Sequence, residues 1–179
     1  AMQNTMDCDP RPLFLNQRME ALDLYGTVDV CLCCLDSVNY VTEPETLQQA
    51  FDRVHLFLMP GGLFLFDINA PGKLRGLDGG IFLDETEDTY CVWRADWSER
   101  RKICTYGMDL FFREEGGLWR REEEVHEERA YELEELEAYL YGAGFSKVRQ
   151  YGELKLRPPG EDEQRIFFAA RKEMIEIHG

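Results

Sequence analysis

Three clusters of polar residues stand where apolar runs end. Asn16-Gln17-Arg18-Met19 follows Pro12-Leu13-Phe14-Leu15, Asp36-Ser37-Val38-Asn39-Tyr40 follows the run Val28 to Leu35, and Asp67-Ile68-Asn69 follows Leu63 to Phe66. If the runs are strands of an open α/β sheet, the clusters lie beyond the strands' carboxyl ends, where such sheets bind their ligands. Asp, Asn and Ser also populate turns for local reasons, and for Asp36-Ser37 alone a turn or helix cap accounts for the residues equally well. Three such ends on one edge predict a binding site.

Metal chemistry finds little support. Cys31, Cys33 and Cys34 sit inside the apolar run, where thiols behave as small core hydrophobes. Cys33 and Cys34 are adjacent and point to opposite faces of a strand. His55, His126 and His178 do not fall at zinc spacing relative to the cysteines. The six cysteines therefore predict reduced thiols in a reducing compartment, with neither a disulfide framework nor a metal.

The elements that would position the polar clusters can be read from periodicity. Val28 to Leu35 is almost continuously apolar, as in a strand of a parallel sheet covered on both faces. Thr42-x-x-Glu45 fits a capping box with Pro44 tolerated in the first turn, and Leu47, Ala50, Phe51, Val54 and Leu58 recur on one helical face. Pro60-Gly61-Gly62 is expected to stop that helix before the strand Leu63 to Phe66. Strand, helix and strand make a βαβ unit with a right-handed crossover. From about Gly79 the pattern changes. Tyr90 to Trp97, Lys102 to Arg113 and Leu118 to Arg129, separated by Ser98 to Arg101 and Gly116-Gly117, predict an antiparallel meander with one wet face, on which Arg120 to Arg129 is solvated. A helix with Leu133, Leu136, Leu140 and Ala143 on its face and Gly144 as C-cap follows. Lys147 to Tyr151 and Arg165 to Ala170 then read as closing strands.

The chain has 179 residues, 44% of them hydrophobic, an ordinary balance for one globular domain. Its 20 Lys and Arg face 35 Asp and Glu, a formal charge of −15. Such a surface repels phosphate backbones and anionic headgroups, which argues against nucleic-acid and membrane partners. No apolar run approaches the ~20 residues that span a bilayer. Ala1 to Pro10 carries neither a basic nor an apolar signal region, so the expectation is a cytoplasmic protein.

The stretches Phe14 to Met19, Val28 to Tyr40 and Leu58 to Asp67, with Leu-x-Pro-Gly-Gly about twenty residues after Asp-Ser-x-Asn-Tyr, resemble the class I S-adenosylmethionine-dependent methyltransferases, especially bacterial small-molecule members. Glu132-Leu133-x-Glu135-Leu136 leading to Ala143-Gly144-Phe145 is also similar to these enzymes. The resemblance implies a Rossmann-like sheet, mostly parallel with an antiparallel last strand, carrying an antiparallel β insertion. It divides the chain into a partial cofactor-binding region (1–78), an insertion on the substrate side (79–130), and a closing helix and strands (131–179). The family's Asp/Glu-x-Gly-x-Gly loop and the acid ending its second strand have no match. The first strand found here resembles the family's third, so the N-terminal part of the sheet is expected to be missing and Ala1 to Thr5 to close a helix.

By the same resemblance, S-adenosylmethionine is the cofactor. Gln17, Arg18 and Met19 correspond to its adenine pocket, although many relatives have an acid where Arg18 stands, and an Arg cannot accept a hydrogen bond. Leu35, Asp36 and Ser37 correspond to residues beside its methionine and sulfonium. Asn39 and Tyr40 are expected to face the reaction, and His126, Arg129 and Tyr131 to contact a small-molecule acceptor. Trp93, Trp97, Trp119 and Tyr106 suit either an aromatic pocket or core packing. Two other readings exist: a non-catalytic scaffold or homodimer that associates through an exposed sheet edge, and a nicotinamide-dependent reductase, which lacks its Gly-x-Gly-x-x-Gly.

Overall fold

β1 (Val28–Cys33) and β2 (Leu58–Asn69) pair in parallel, and helix α1 (Pro44–Phe57) makes the crossing between them. The computed structural model describes residue 5 and residues 9–174; the helix end expected at Ala1 to Thr5 lies, apart from Thr5, outside the described residues. After a short helix α2 (Pro71–Gly76), the chain builds a second sheet from β3 (Ile81–Glu85), β4 (Thr89–Ser98), β5 (Ile103–Arg113) and β6 (Trp119–Arg129), all antiparallel. It then returns through α3 (Leu133–Gly142) to β7 (Phe145–Gly152) and β8 (Arg165–Lys172). The first sheet has the order β1-β2-β8-β7, with β8 antiparallel to both its neighbours.

The main core forms on one face of this sheet. Phe64, Phe66, Phe168 and Ala170 meet Leu47, Phe51 and Val54 of α1 and Leu136 and Leu140 of α3, all buried. The opposite face is not covered in this way. Val30 and Leu32 of β1 are 50% and 63% exposed, and Leu63, Leu65, Phe167 and Ala169 are only half-buried. Val28 to Leu35 is thus an edge strand covered on one face, not the doubly covered strand its composition predicts, because no helix packs on that side among the described residues.

Three local expectations change for physical reasons. Pro12 to Leu15 forms no strand: it has no neighbouring ladder, and Leu13, Phe14 and Leu15 are exposed. The Thr42 capping box does not form. Pro44 occupies the first helical turn, and the residue before a proline is held extended, so Glu43 (φ −96°, ψ 120°) becomes the N-cap without a side-chain cap bond. Pro60-Gly61-Gly62 does not separate helix from strand either. α1 already ends at Phe57, and the three residues form an irregularity inside β2, where β1 advances two residues while β2 advances five. Gly62 is needed there, since a Cβ would sit 2.8 Å from the Met59 carbonyl oxygen and 3.0 Å from that of Asp29. Gly144 follows α3 at φ +102°, in the left-handed region expected of its C-cap.

The second sheet has its own core, where Leu74 of α2 meets Ala95, Cys104, Tyr106 and Ala130. The two sheets are stitched together by Asn39, buried completely. Its side-chain nitrogen donates to the carbonyls of Arg129 (2.9 Å) and Asn69 (3.4 Å), and its oxygen accepts the Asn69 amide (3.0 Å). Five cysteines, Cys31, Cys33, Cys34, Cys91 and Cys104, are free. Cys31 and Cys34 have Cys-x-x-Cys spacing, but three residues along extended chain set them on opposite sides. No cluster of metal-ligating side chains occurs among the described residues, and none of their helices is long and apolar enough to cross a membrane.

Candidate functional site

Past the carboxyl end of β1 the chain turns sharply, with Leu35 at φ 59° and Asp36 at φ 50°. Two consecutive left-handed residues with side chains cost roughly 1–2 kcal/mol each. Asp67, at the end of β2 and buried, offsets this. One carboxylate oxygen accepts the Leu35 amide (2.9 Å) and the other accepts the Asp36 amide (3.1 Å). Arg165 opens β8 directly across from Asn69 and extends its guanidinium to both Asp67 and Asp36, reaching the latter at 2.7 Å. Burial opposes its charge, yet the two carboxylates hold Arg165 above the ordinary arginine range. The turn is therefore pinned by the ends of two neighbouring strands, β2 and β8.

This turn borders a cavity of about 400 Å³ between the carboxyl edge of the first sheet and the inner face of the second. Asp36, Asn69 and Arg165 line it from the first sheet, Lys73 and Leu77 from α2 and the residue after it, and Trp93, Tyr106, Met108, His126 and Glu128 from β4, β5 and β6. Tyr40 stands at its rim, its ring 5.9 Å from that of His126 in an edge arrangement. Glu128 is 4% exposed, and its Oε2 accepts from the Asn69 amide nitrogen at 2.7 Å. On its other side Asn69 accepts from Lys73 at 2.7 Å. Burial pushes the Glu128 carboxyl up, strengthened by the field of Asp36 and opposed by hydrogen bonds with Asn69 and Tyr106 and by Lys73. Burial likewise pushes the Tyr106 phenol well up.

The residues expected from the sequence separate into three groups. Asp36, Tyr40 and His126 line the cavity, with Leu35 and Ser37 in the turn beside it; the Ser37 hydroxyl donates to the Cys34 carbonyl (2.7 Å). Gln17, Arg18 and Met19 lie on the loop before β1. Gln17 is occupied by both backbone groups of Asp23, the Arg18 guanidinium meets Glu20, and Met19 is half-buried in a short 3-10 turn. Asn39, Arg129 and Tyr131 do not line the cavity, contrary to the expectation that they face the reaction or contact an acceptor. Asn39 stitches the sheets, Arg129 binds the Arg101 carbonyl and Glu135 while lying 5.1 Å from the Tyr131 ring centre, and the buried Tyr131 hydroxyl donates to Val41. They sit beneath the joint because β6 ends there and the chain turns inward toward α3.

Glu128, Lys73, Met108 and Arg165 were not singled out by sequence, whereas Asn69 belongs to the third polar strand end. The register supplies the missing signal: Cys104 opposes Glu128 and Tyr106 opposes His126, so alternate residues of a charged strand face inward together. Of the candidate aromatic set, Trp93 and Tyr106 reach the cavity. Trp97 turns its indole to Glu99, and Trp119 lies at the far end of the sheet with Tyr90 and Phe111.

No family model matches the chain. Over 162 residues it is 30% identical to a curated Bacillus subtilis protein named "Putative methyltransferase YqeM", and over 160 residues 27% identical to a Geobacillus protein of the same description. Each match covers 89% of this chain, which spans 65% of the length of either relative. Among solved structures, an S-adenosylmethionine-dependent methyltransferase from Clostridium acetobutylicum superimposes with a TM-score of 0.83 at 27% identity, covering 91% of this chain and 65% of the other. The CcbJ methyltransferase of Streptomyces caelestis shares the fold at 16% identity, with a TM-score of 0.71 over 88% of this chain and 62% of its own. In sequence this chain is similar to curated putative methyltransferases, and in fold to an S-adenosylmethionine-dependent methyltransferase, over about 65% of the length of each.

Proposed function

We propose that this chain forms the acceptor-side portion of a methyltransferase that uses S-adenosylmethionine to methylate a small molecule by in-line transfer. The observation that carries this reading is the left-handed turn at Leu35-Asp36, fixed by Asp67 at the edge of a cavity roofed by the second sheet. The donor set at the turn fits the cofactor's amino-acid end: a carboxylate, an apolar side chain and a hydroxyl lie side by side in Asp36, Leu35 and Ser37. When bound, S-adenosylmethionine supplies an electrophilic methyl carbon whose bonding pair leaves with the sulfur. The residues then need to align an acceptor and exclude water. In this assignment Leu35, Asp36 and Ser37 hold the methionine end, while Met19 packs on the adenine with Gln17 and Arg18 beside it. Tyr40 and His126 touch the acceptor. Asn39, Arg129 and Tyr131 act from behind, as positioning residues.

A cavity of about 400 Å³ suits a metabolite better than a polymer, and free thiols agree with a cytoplasmic setting. Calorimetric titration of the complete gene product with S-adenosylmethionine tests the reading. Saturable binding is expected, and silence at millimolar ligand overturns it. A second reading, association of two copies, rests on the exposed residues of β1, Val30 and Leu32. Sedimentation as a dimer supports it, and a monomer with a cooperative melt counts against it.

A further inference from the structure

We propose that Glu128 selects an amine as the methyl acceptor, holding its ammonium form against the carboxylate and then taking one proton from the nitrogen. This rests on the methyltransferase reading above and adds the chemical class of its acceptor.

Three observations carry it. Glu128 is almost fully buried at the cavity wall, yet it forms no ion pair among the described residues. The cations that share the cavity are engaged elsewhere: Arg165 with Asp36 and Asp67, Lys73 with the side-chain oxygen of Asn69. The cavity that Glu128 faces is also lined by Trp93, Tyr106 and Met108, with Tyr40 at the rim. A buried anion in the wall of a cavity that aromatic rings also line favours an organic cation, through charge and through the rings' electron-rich faces. A carboxylate acceptor is repelled by Glu128 and Asp36 together. A neutral hydroxyl can donate one hydrogen bond to the carboxylate but brings no charge to offset the cost of burying it.

The proton balance is simple. R–NH3⁺ and the Glu128 carboxylate become R–NH2 and a neutral carboxylic acid, so the charge pair is discharged inside the cavity and the nitrogen keeps a free electron pair. Burial, which raises the affinity of Glu128 for a proton, moves it toward the strength a general base needs near neutral pH. Asn69 keeps the side chain aimed, its amide nitrogen donating to Oε2, and Tyr106 adds a second hydrogen bond to the carboxylate.

Benzylamine and benzyl alcohol, nearly equal in shape, separate charge from size. Calorimetry on the complete gene product at pH 8 is expected to show benzylamine binding about ten-fold more tightly than the alcohol, the advantage of one charge-assisted contact. Glu128→Gln is expected to abolish that preference while leaving the affinity for S-adenosylmethionine within about two-fold. Equal binding of the two probes by the native protein overturns the proposal. So does an unchanged preference in Glu128→Gln. Should Glu128→Gln not melt cooperatively, Tyr40→Leu at the half-exposed rim decides: an amine preference reduced about three-fold supports the cation site, and an undiminished one overturns it. Absence of cofactor binding to the native protein would strike the methyltransferase reading instead, and the amine preference is read without cofactor, so the two failures are distinct.

Discussion

A single carboxylate, Asp67, decides the shape of the turn that borders the cavity. It accepts two amides that would otherwise be unpaired and also meets Arg165. Asp67→Asn keeps one acceptor and loses the other together with the charge. The expected cost is roughly 2 kcal/mol or more, the penalty for a buried donor left unmade, read as a lower urea midpoint at unchanged slope. Glu128 gives the opposite lesson in pH. Its folded carboxyl holds its proton more tightly than the unfolded chain does, because burial disfavours the charge. Below the ordinary glutamate value both states are protonated and no cost exists; as pH rises through that value toward the folded one, stability falls. Glu128→Gln is therefore expected to melt higher than the native protein at pH 7 to 8, the difference closing near pH 4. The thiols order themselves by exposure. Cys33, pushed up to about 12 by burial, is expected to resist maleimide at pH 7.5, while exposed Cys34 reacts ahead of the other described cysteines in peptide mapping.

At the scale of elements, the fold rests on a few close approaches. Gly62→Ala would press a methyl carbon against two backbone oxygens at the β1–β2 irregularity, which cannot yield as a side-chain tip does. A loss of about 1–3 kcal/mol is expected in chemical denaturation. Much of this level was legible beforehand. Helical spacing identified Leu47, Phe51 and Val54 of α1 and Leu136 and Leu140 of α3 as buried, and turn residues delimited β4, β5 and β6. What stayed hidden has one cause in each case. A capping box and a proline competed for the same helix start, and the proline's fixed geometry prevailed. β6 read as solvated because its composition is charged, whereas burial of Glu128 depends on the register against β5 and on Asn69, fifty-nine residues away in the chain. Asn39 looked like a cavity residue because amides serve equally well as ligands and as backbone braces; only the position of the Arg129 carbonyl distinguishes the two.

Over the whole molecule, one face of the first sheet and the edge at β1 face outward with apolar side chains, among them Val30, Leu32, Leu63 and Leu65. An edge of this kind pairs readily with another chain. Leu32→Lys is therefore expected to reduce concentration-dependent association of the 179-residue chain in sedimentation, without lowering its melting temperature. The βαβ unit could be read from the order of the elements and the class of fold from the family resemblance, while which faces are covered could not, because coverage is a property of neighbours rather than of a strand's own residues.

The order of strands in the first sheet also has a consequence in time. β2, at its centre, bonds to β8 with Leu63 opposite Arg171, so more than half the chain lies between partners. The meander, by contrast, closes with hairpins whose two sides are neighbours in sequence, as where Ser98 meets Ile103. Local pairings form fast and distant ones slowly. At 5–20 residues per second on the ribosome, β2 waits roughly 5–20 s for its partner to be synthesised. The roof of the cavity is thus assembled before its floor, and β1, α1 and β2 spend that interval as a nascent unit with its central strand unpaired on one side.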